Sequence, residues 1–371
     1  MSRTGAGGRR PATDRRRRLE VALGALWLLD GALQLQPAML DPGFFRSLLD
    51  MADMGLPRPL SLVSATVAAA LAAHPAVWDS CFGALQICIG LGLMWARSAR
   101  TARAASILWA LCVWTIGEGM GGLFMAGTTA LGGAPGAALL YALAAVVLWP
   151  AEEPPGRRRS EPSRSGEAAG GGAPLGSSRH GGGLGGRAAV ILAGLWAGTA
   201  LLELEPANHA PAVPGALLAI VGQGEPLWLA RINASVGQHL ANAGLELAIA
   251  LGTAQVLVAA LILRPTSRRA GLALGIALSL VYWAVGQDLG GLLTGEATDP
   301  DTGPLLALLA LAAWPLPPAP PAEVRSGSPA RERAPAPWPR ALPPRQEPQV
   351  RPASLHQGSL LPEPSTPSRC I

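Results

Sequence analysis

The stretch WTIGEGMGGLFMAGTT at residues 114–129 recurs as WAVGQDLGGLLTGEAT at 283–298, and no other feature of the chain constrains its fold as strongly. A shift of 169 residues overlays the sequence on itself without a gap from 26 to 129. LWLLDGALQLQPA (26–38) falls on LWAGTALLELEPA (195–207), Pro42 on Pro211, Pro57 on Pro226, Gly83 on Gly252 and Gln86 on Gln255. Each half then closes with a short apolar stretch ending in Trp-Pro, at 149–150 and 314–315. Self-similarity over such a length reads as one structural unit duplicated in tandem.

The apolar residues decide what kind of unit it is. They are bunched into blocks at 19–36, 76–96, 104–124, 135–150, 187–204, 241–263, 270–293 and 303–317, while only 14% of the chain is charged. A helix that crosses a bilayer needs about 20 consecutive, mostly apolar residues. The blocks predict an all-α integral membrane protein with eight transmembrane helices, arranged as two parallel four-helix repeats. The fourth and eighth are the shortest. Four spans per unit is an even number, so both copies have the same orientation in the membrane, unlike the inverted repeats of many transporters.

Every one of the 29 basic residues is arginine, and 26 fall on one side of the eight-span arrangement, leaving Arg46, Arg58 and Arg231 on the other. The positive-inside rule makes the arginine-rich side cytoplasmic, with both termini on it, in the plasma (inner) membrane. The basic pI of about 9.6 then reports orientation and not a nucleic-acid partner. The first block follows RRRR but has no A-x-A-like cleavage site, so it reads as a retained span and not a signal peptide. The domain order expected is a basic N-terminus (1–18), a first membrane unit (19–150), a Gly-, Pro- and Ser-rich cytoplasmic linker (151–186), a second unit (187–317) and a disordered Pro/Arg-rich cytoplasmic tail (318–371). Residues 59–74 and 227–242 fit interfacial or re-entrant helices better than spans, because the second copy carries Arg231, Asn233, Gln238 and His239.

Acids inside hydrocarbon are expensive and so face a cavity or a partner helix. Asp30, Gln34 and Pro37 recur every i, i+4, i+7 on one helical face, and Thr199, Glu203 and Pro206 repeat them. Glu118 lies one turn beyond Trp114, as Gln287 does after Trp283, with Asp288 next to it. Asp79 and Gln86 share a face; His239, Asn242 and Glu246 form another stripe in the second unit. With the orientation above, all of these gather in the outer half of the bilayer. The pocket candidates are therefore Asp30, Gln34, Asp79, Glu118, Glu203, His239, Glu246, Gln287 and Asp288. The competing reading is that they are hydrogen-bonding glue between helices. Gly117 and Gly121, with Gly286 and Gly290, have the small-xxx-small spacing of helix packing. The histidines lack metal-ligand spacing, and the four cysteines make neither a disulfide framework nor a zinc site.

In Leu23, Gly31, the G-x-P-x-P stretch GLPRP (55–59), Gly83, Gly90, Gly92 and Arg97, the unit resembles the DoxX/DoxD-type membrane family. The second copy keeps GEP (224–226), Glu246 and Gly252. That resemblance implies a membrane partner of a quinone-linked sulfur or thiol redox system, with a quinone as ligand and a membrane redox partner. Two other classes stay open: a proton-coupled small-molecule transporter using the same acids, and a membrane scaffold without chemistry of its own.

Overall fold

The computed structural model describes residues 11–150, 183–221 and 224–316, and every regular element in them is helical. Residues 1–10, 151–182 and 317–371 lie outside the described residues, and with them most of the expected linker (151–186) and all of the expected tail (318–371). The first half contains α1 (Pro11–Leu33), α2 (Pro42–Asp53), α3 (Arg58–Leu71), α4 (Pro75–Met94), α5 (Ala99–Cys112) and α6 (Ala137–Val147). The second contains α7 (Leu184–Leu202), α8 (Val213–Val221), α9 (Leu227–His239), α10 (Gly244–Leu263), α11 (Arg268–Val281) and α12 (Thr302–Ala313).

Among the described residues, four helices are long and apolar enough to cross a membrane: α4, α7, α10, and α11 together with the turn that extends it to Gly286. Their 19–20 residues reach about 30 Å at 1.5 Å per residue. The helices of the fourth and eighth blocks are short. The 11 residues of α6 and 12 of α12 span only about 16–18 Å. These two are instead the most enclosed helices, with Leu140, Ala145, Leu305 and Leu309 at the centre of one continuous apolar core. In the first half α1 packs on α4, α4 on α5 and α5 on α6; in the second α7 packs on α10, α10 on α11, and α12 on both α11 and α7. The halves meet through α6 and α12.

The α1–α4 crossing shows where glycine matters for packing. A Cβ on Gly90 of α4 would sit 2.7 Å from Gly24 O of α1, and one on Gly31 would sit 2.7 Å from Gly83 O. Two pairs at seven-residue spacing let α1 and α4 touch backbone to backbone. The sequence reading assigned helix packing to Gly117, Gly121, Gly286 and Gly290, and the structure corrects it at Gly121 and Gly290. After α5 the chain passes through a π-turn, Val113–Gly117, and then breaks: Met120 and Gly121 have φ of 59° and 65°. The same happens after α11, with a π-turn at Tyr282–Gly286 and φ of 52° and 73° at Leu289 and Gly290. A left-handed residue ends a helix, and glycine adopts that conformation without steric cost. Gly121 and Gly290 are turn residues whose added Cβ would collide with Pro135 and Pro300 respectively, while Gly117 meets only a Val113 methyl at 3.4 Å. Gly286 is buried against Leu131 of the other half. Blocks 104–124 and 270–293 are therefore not continuous helices.

The arginines do local work as well. Arg17 donates to Leu93 O (2.6 Å) and Met94 O at the end of α4, and Arg15 to Ala312 O (2.9 Å) and Leu311 O at the end of α12. Arg187 donates to Trp149 O (2.7 Å) just past α6, and Arg268 to Ile262 O (3.0 Å) near the end of α10. Each places a cation on carbonyls at or just past a helix C-terminus, where its charge opposes the helix dipole. Beside them Arg103 pairs with Glu20, both buried, and its guanidinium lies 5.7 Å from the Trp149 ring centroid.

Candidate functional site

A cavity of about 400 Å³ lies in the first half, bounded by α1, α4, α5 with its π-turn, α6 and the α2–α3 pair. Asp41 starts α2 by accepting from the amides of Gly43 and Phe44, both at 2.9 Å. The helix is amphipathic, and its apolar stripe turns Phe45 and Leu49 inward; both line the cavity, joined by Val67 and Leu71 of α3. Four of the nine residues expected from sequence meet in this space: Asp30, Gln34, Asp79 and Glu118. Gln86 joins them, one turn and then another beyond Phe82 and Asp79 on α4.

The four carboxyls of the wall differ in what holds them. Asp30 is 2% exposed and accepts a hydrogen bond from the Tyr141 hydroxyl at 2.7 Å. The Tyr141 ring also packs, tilted by 38°, with its centroid 4.3 Å from that of Trp27, whose indole N–H donates to Ser106 Oγ at 2.9 Å. Glu118 Oε1 accepts from the Ala138 amide at 2.9 Å, so it caps the N-terminus of α6 from across the turn, while its Oε2 is buried without a partner. Asp299 comes from the opposite half, where Thr298 Oγ1 donates to it at 2.9 Å and the Asp301 amide at 2.7 Å. Burial pushes the Asp299 carboxyl above its usual range; those two hydrogen bonds act the other way. Asp79 is 2% exposed and has no hydrogen-bond partner among the described residues, and Gln86 Oε1 is likewise buried and unpaired. Aromatic rings of Trp27, Phe45, Phe82, Trp109 and Tyr141 form much of the remaining wall, and Trp109 Nε1 is buried and unpaired. No arginine or histidine lines it among the described residues.

The other candidates do not join this cavity. Glu203, at the position matching Gln34, is 3% exposed and accepts from Gln255 Nε2 at 3.1 Å; that amide also donates to the Tyr282 hydroxyl at 3.2 Å. Gln287 is a brace: its amide donates to Ala130 O at 3.3 Å and its carbonyl accepts from Thr302 Oγ1 at 3.0 Å, tying the turn to α12 and to the other half. Asp288 faces Glu225 beside α9, and Asn233 donates to Glu225 at 2.6 Å. Burial, then the hydrogen bond and charge of Asp288, push Glu225 up to about 8. His239 and Glu246 are exposed, and the stripe drawn through them is corrected. The helix ends at His239, Asn242 takes φ of 70° and gives its amide to Pro211 O, and a new helix begins at Gly244. Cys81, Cys88 and Cys112 are free thiols.

Sequence reasoning missed Tyr141, Trp109 and Asp299. Tyr141 is one of only two tyrosines in the chain and the one polar side chain of α6, a signal that was available. Asp299 sits in TDPDTGP (298–304), which reads locally as an Asx turn. Its place in the wall depends on Gln34 and Gln36 of α1's end, whose amides reach Thr298 O (3.4 Å) and Ala297 O (3.0 Å). The exchange is reciprocal, since Glu205 accepts from the Gly127 amide at 3.1 Å and Asn208 donates to Thr128 O at 3.0 Å. No family model, curated protein or solved structure matches the chain.

Proposed function

We propose that the chain is a multi-pass protein of the plasma membrane, made of two parallel four-helix units with the arginine-capped ends in the cytoplasm, whose first unit binds a small molecule and exchanges protons with it. The paired turns support the tandem arrangement. Trp114 Nε1 donates to Pro135 O at 2.8 Å and Trp283 Nε1 to Pro300 O at 2.7 Å, across the same π-turn and left-handed break. The observation that carries the function is the cavity with its unpaired Asp79 and Gln86. A buried carboxyl without a partner costs stability. A chain that keeps four acids around one roomy apolar space retains them for what enters it. In an eight-crossing arrangement the cavity lies in the outer half of the bilayer. The core layer of Leu23, Trp27, Ile89 and Leu93, with the Glu20–Arg103 pair beyond it, separates it from the arginine end.

A quinone is the second reading, favoured by the unpaired Trp109 N–H among aromatic rings. That donor would hold one carbonyl oxygen, and the neighbouring acids would supply protons on reduction by a membrane redox partner. The resemblance to the DoxX/DoxD-type family points the same way. Mass spectrometry of small molecules that copurify in native lipid particles tests both readings against an Asp79→Asn, Trp109→Phe variant. A compound enriched by the wild type and lost by the variant supports the cavity, and a quinone supports the second reading. Bulk lipid alone in both samples contradicts the proposal.

A further inference from the structure

The chemistry of the cavity wall goes further than the statement that it binds something. Three of its four carboxyls are engaged: Asp30 by Tyr141, Glu118 by the α6 amide, Asp299 by Thr298 and Asp301. Asp79 alone is held by nothing, although it is enclosed and lines the space. On α4 it sits one turn before Phe82, whose ring centroid is 5.1 Å from that of Trp109. An acid with no basic group in its cavity and aromatic faces around it is the complement of a cation. A carboxylate supplies the charge pair, and ring faces attract an ammonium within about 6 Å of their centroids. Apolar walls set the rest of the specificity, because they leave room for hydrocarbon, and no cationic side chain lines them among the described residues to hold an anion.

Resting on the reading of this cavity as a ligand site, we infer that its ligand class is an organic ammonium ion: a monocationic amine carrying an aromatic or bulky apolar body, its nitrogen against Asp79 and its body among Phe82, Trp109 and Trp27. Asp30 and Glu118 then serve as positioning residues, since one oxygen of each is held, by Tyr141 and by the start of α6. A cavity of about 400 Å³ suits a molecule of one or two rings.

The test is binding of three probes of similar size to the full-length protein in lipid nanodiscs, with empty nanodiscs as the partition blank. Phenethylamine and benzyltrimethylammonium carry the charge; 2-phenylethanol is neutral. Isothermal titration calorimetry is expected to give both cations at least tenfold tighter binding than the alcohol. Asp79→Asn should remove that preference while keeping the wild-type melting temperature, and Glu246→Gln, at an exposed acid, should retain it. Equal binding of all three probes overturns the cation inference and leaves the small-molecule site standing. Binding by none of them also overturns it, and the copurification experiment then decides the broader reading separately. A preference that survives Asp79→Asn places the charge recognition elsewhere and overturns the assignment to this cavity.

Discussion

The surroundings of Asp79 in the first half and of Glu203 in the second are built on the same framework and filled differently. Trp27 and Trp196 stand at matching positions on α1 and α7, Gln86 and Gln255 on α4 and α10, Trp114 and Trp283 in the π-turns. The first half then carries Asp79, Phe82, Trp109 and Val113 where the second has Ala248, Leu251, Leu278 and Tyr282. The fifth residue of α6 is Tyr141 and that of α12 is Leu306. In the second half a buried tyrosine from the π-turn stands there, and the Gln255 amide donates to both Glu203 and Tyr282, although Gln255 Oε1 is left unpaired. In the first, valine takes that place and a cavity remains with acids around it. A buried polar residue is therefore not evidence of a site by itself. The volume beside it, and whether its own chain already satisfies it, separate glue from recognition.

The comparison is open to attack by exchanging the difference. Ala248→Asp puts into the closed half the acid the open half carries. Ala248 is 4% exposed, on the face of α10 that the helix buries. An uncompensated buried charge is expected to cost about 3–5 kcal/mol, seen as a large drop in melting temperature or loss of folded protein. A mild effect there breaks the contrast. The shared framework is tested next. Gly121→Ala and Gly290→Ala should each lose about 1–3 kcal/mol for a strained left-handed residue, while Gly117→Ala stays within ~0.5 kcal/mol. Equal costs at Gly117 and Gly121 would restore the helix-packing reading.

Smaller effects sharpen the contrast. Glu203→Ala leaves the Gln255 amide without its carboxylate and should cost about 1–3 kcal/mol. Asp79→Ala should cost under ~1 kcal/mol or stabilise, because no hydrogen bond is lost there. Melting temperatures of the two variants compared side by side decide it. Smallest is a pH slope from Glu225. Its folded carboxyl is pushed up to about 8 from an ordinary 4.5, so the folded form keeps a proton that the unfolded form releases. Stability should fall as pH rises between those values and level off above, and Glu225→Gln should flatten that part of the melting profile.

Much of the helical order was legible in the sequence, because long apolar blocks with few charges leave α4, α7 and α10 little alternative. The grouping of Asp30, Gln34, Asp79 and Glu118 was legible too, from helical spacing and alternating chain direction. The ends of helices were not. A Gly-xxx-Gly run supports either close packing or a left-handed stop, and only the Pro135 and Pro300 carbonyls facing Gly121 and Gly290 tell which. The block at 19–36 ends as helix at Leu33, so Pro37 is off the face drawn through Asp30, and it is exposed. Asp299 was illegible for a different reason: its loop crosses to the other half, and no local pattern encodes a contact more than 260 residues away.

The most direct measurement is a cryo-electron microscopy map of the protein in native lipid particles, prepared without added ligand. The account predicts ordered non-protein density in the cavity beside Asp79 and Trp109, and continuous side-chain density with no such feature between Glu203, Gln255 and Tyr282. A first half closed around Asp79 by its own side chains, or equal density at both levels, would contradict it.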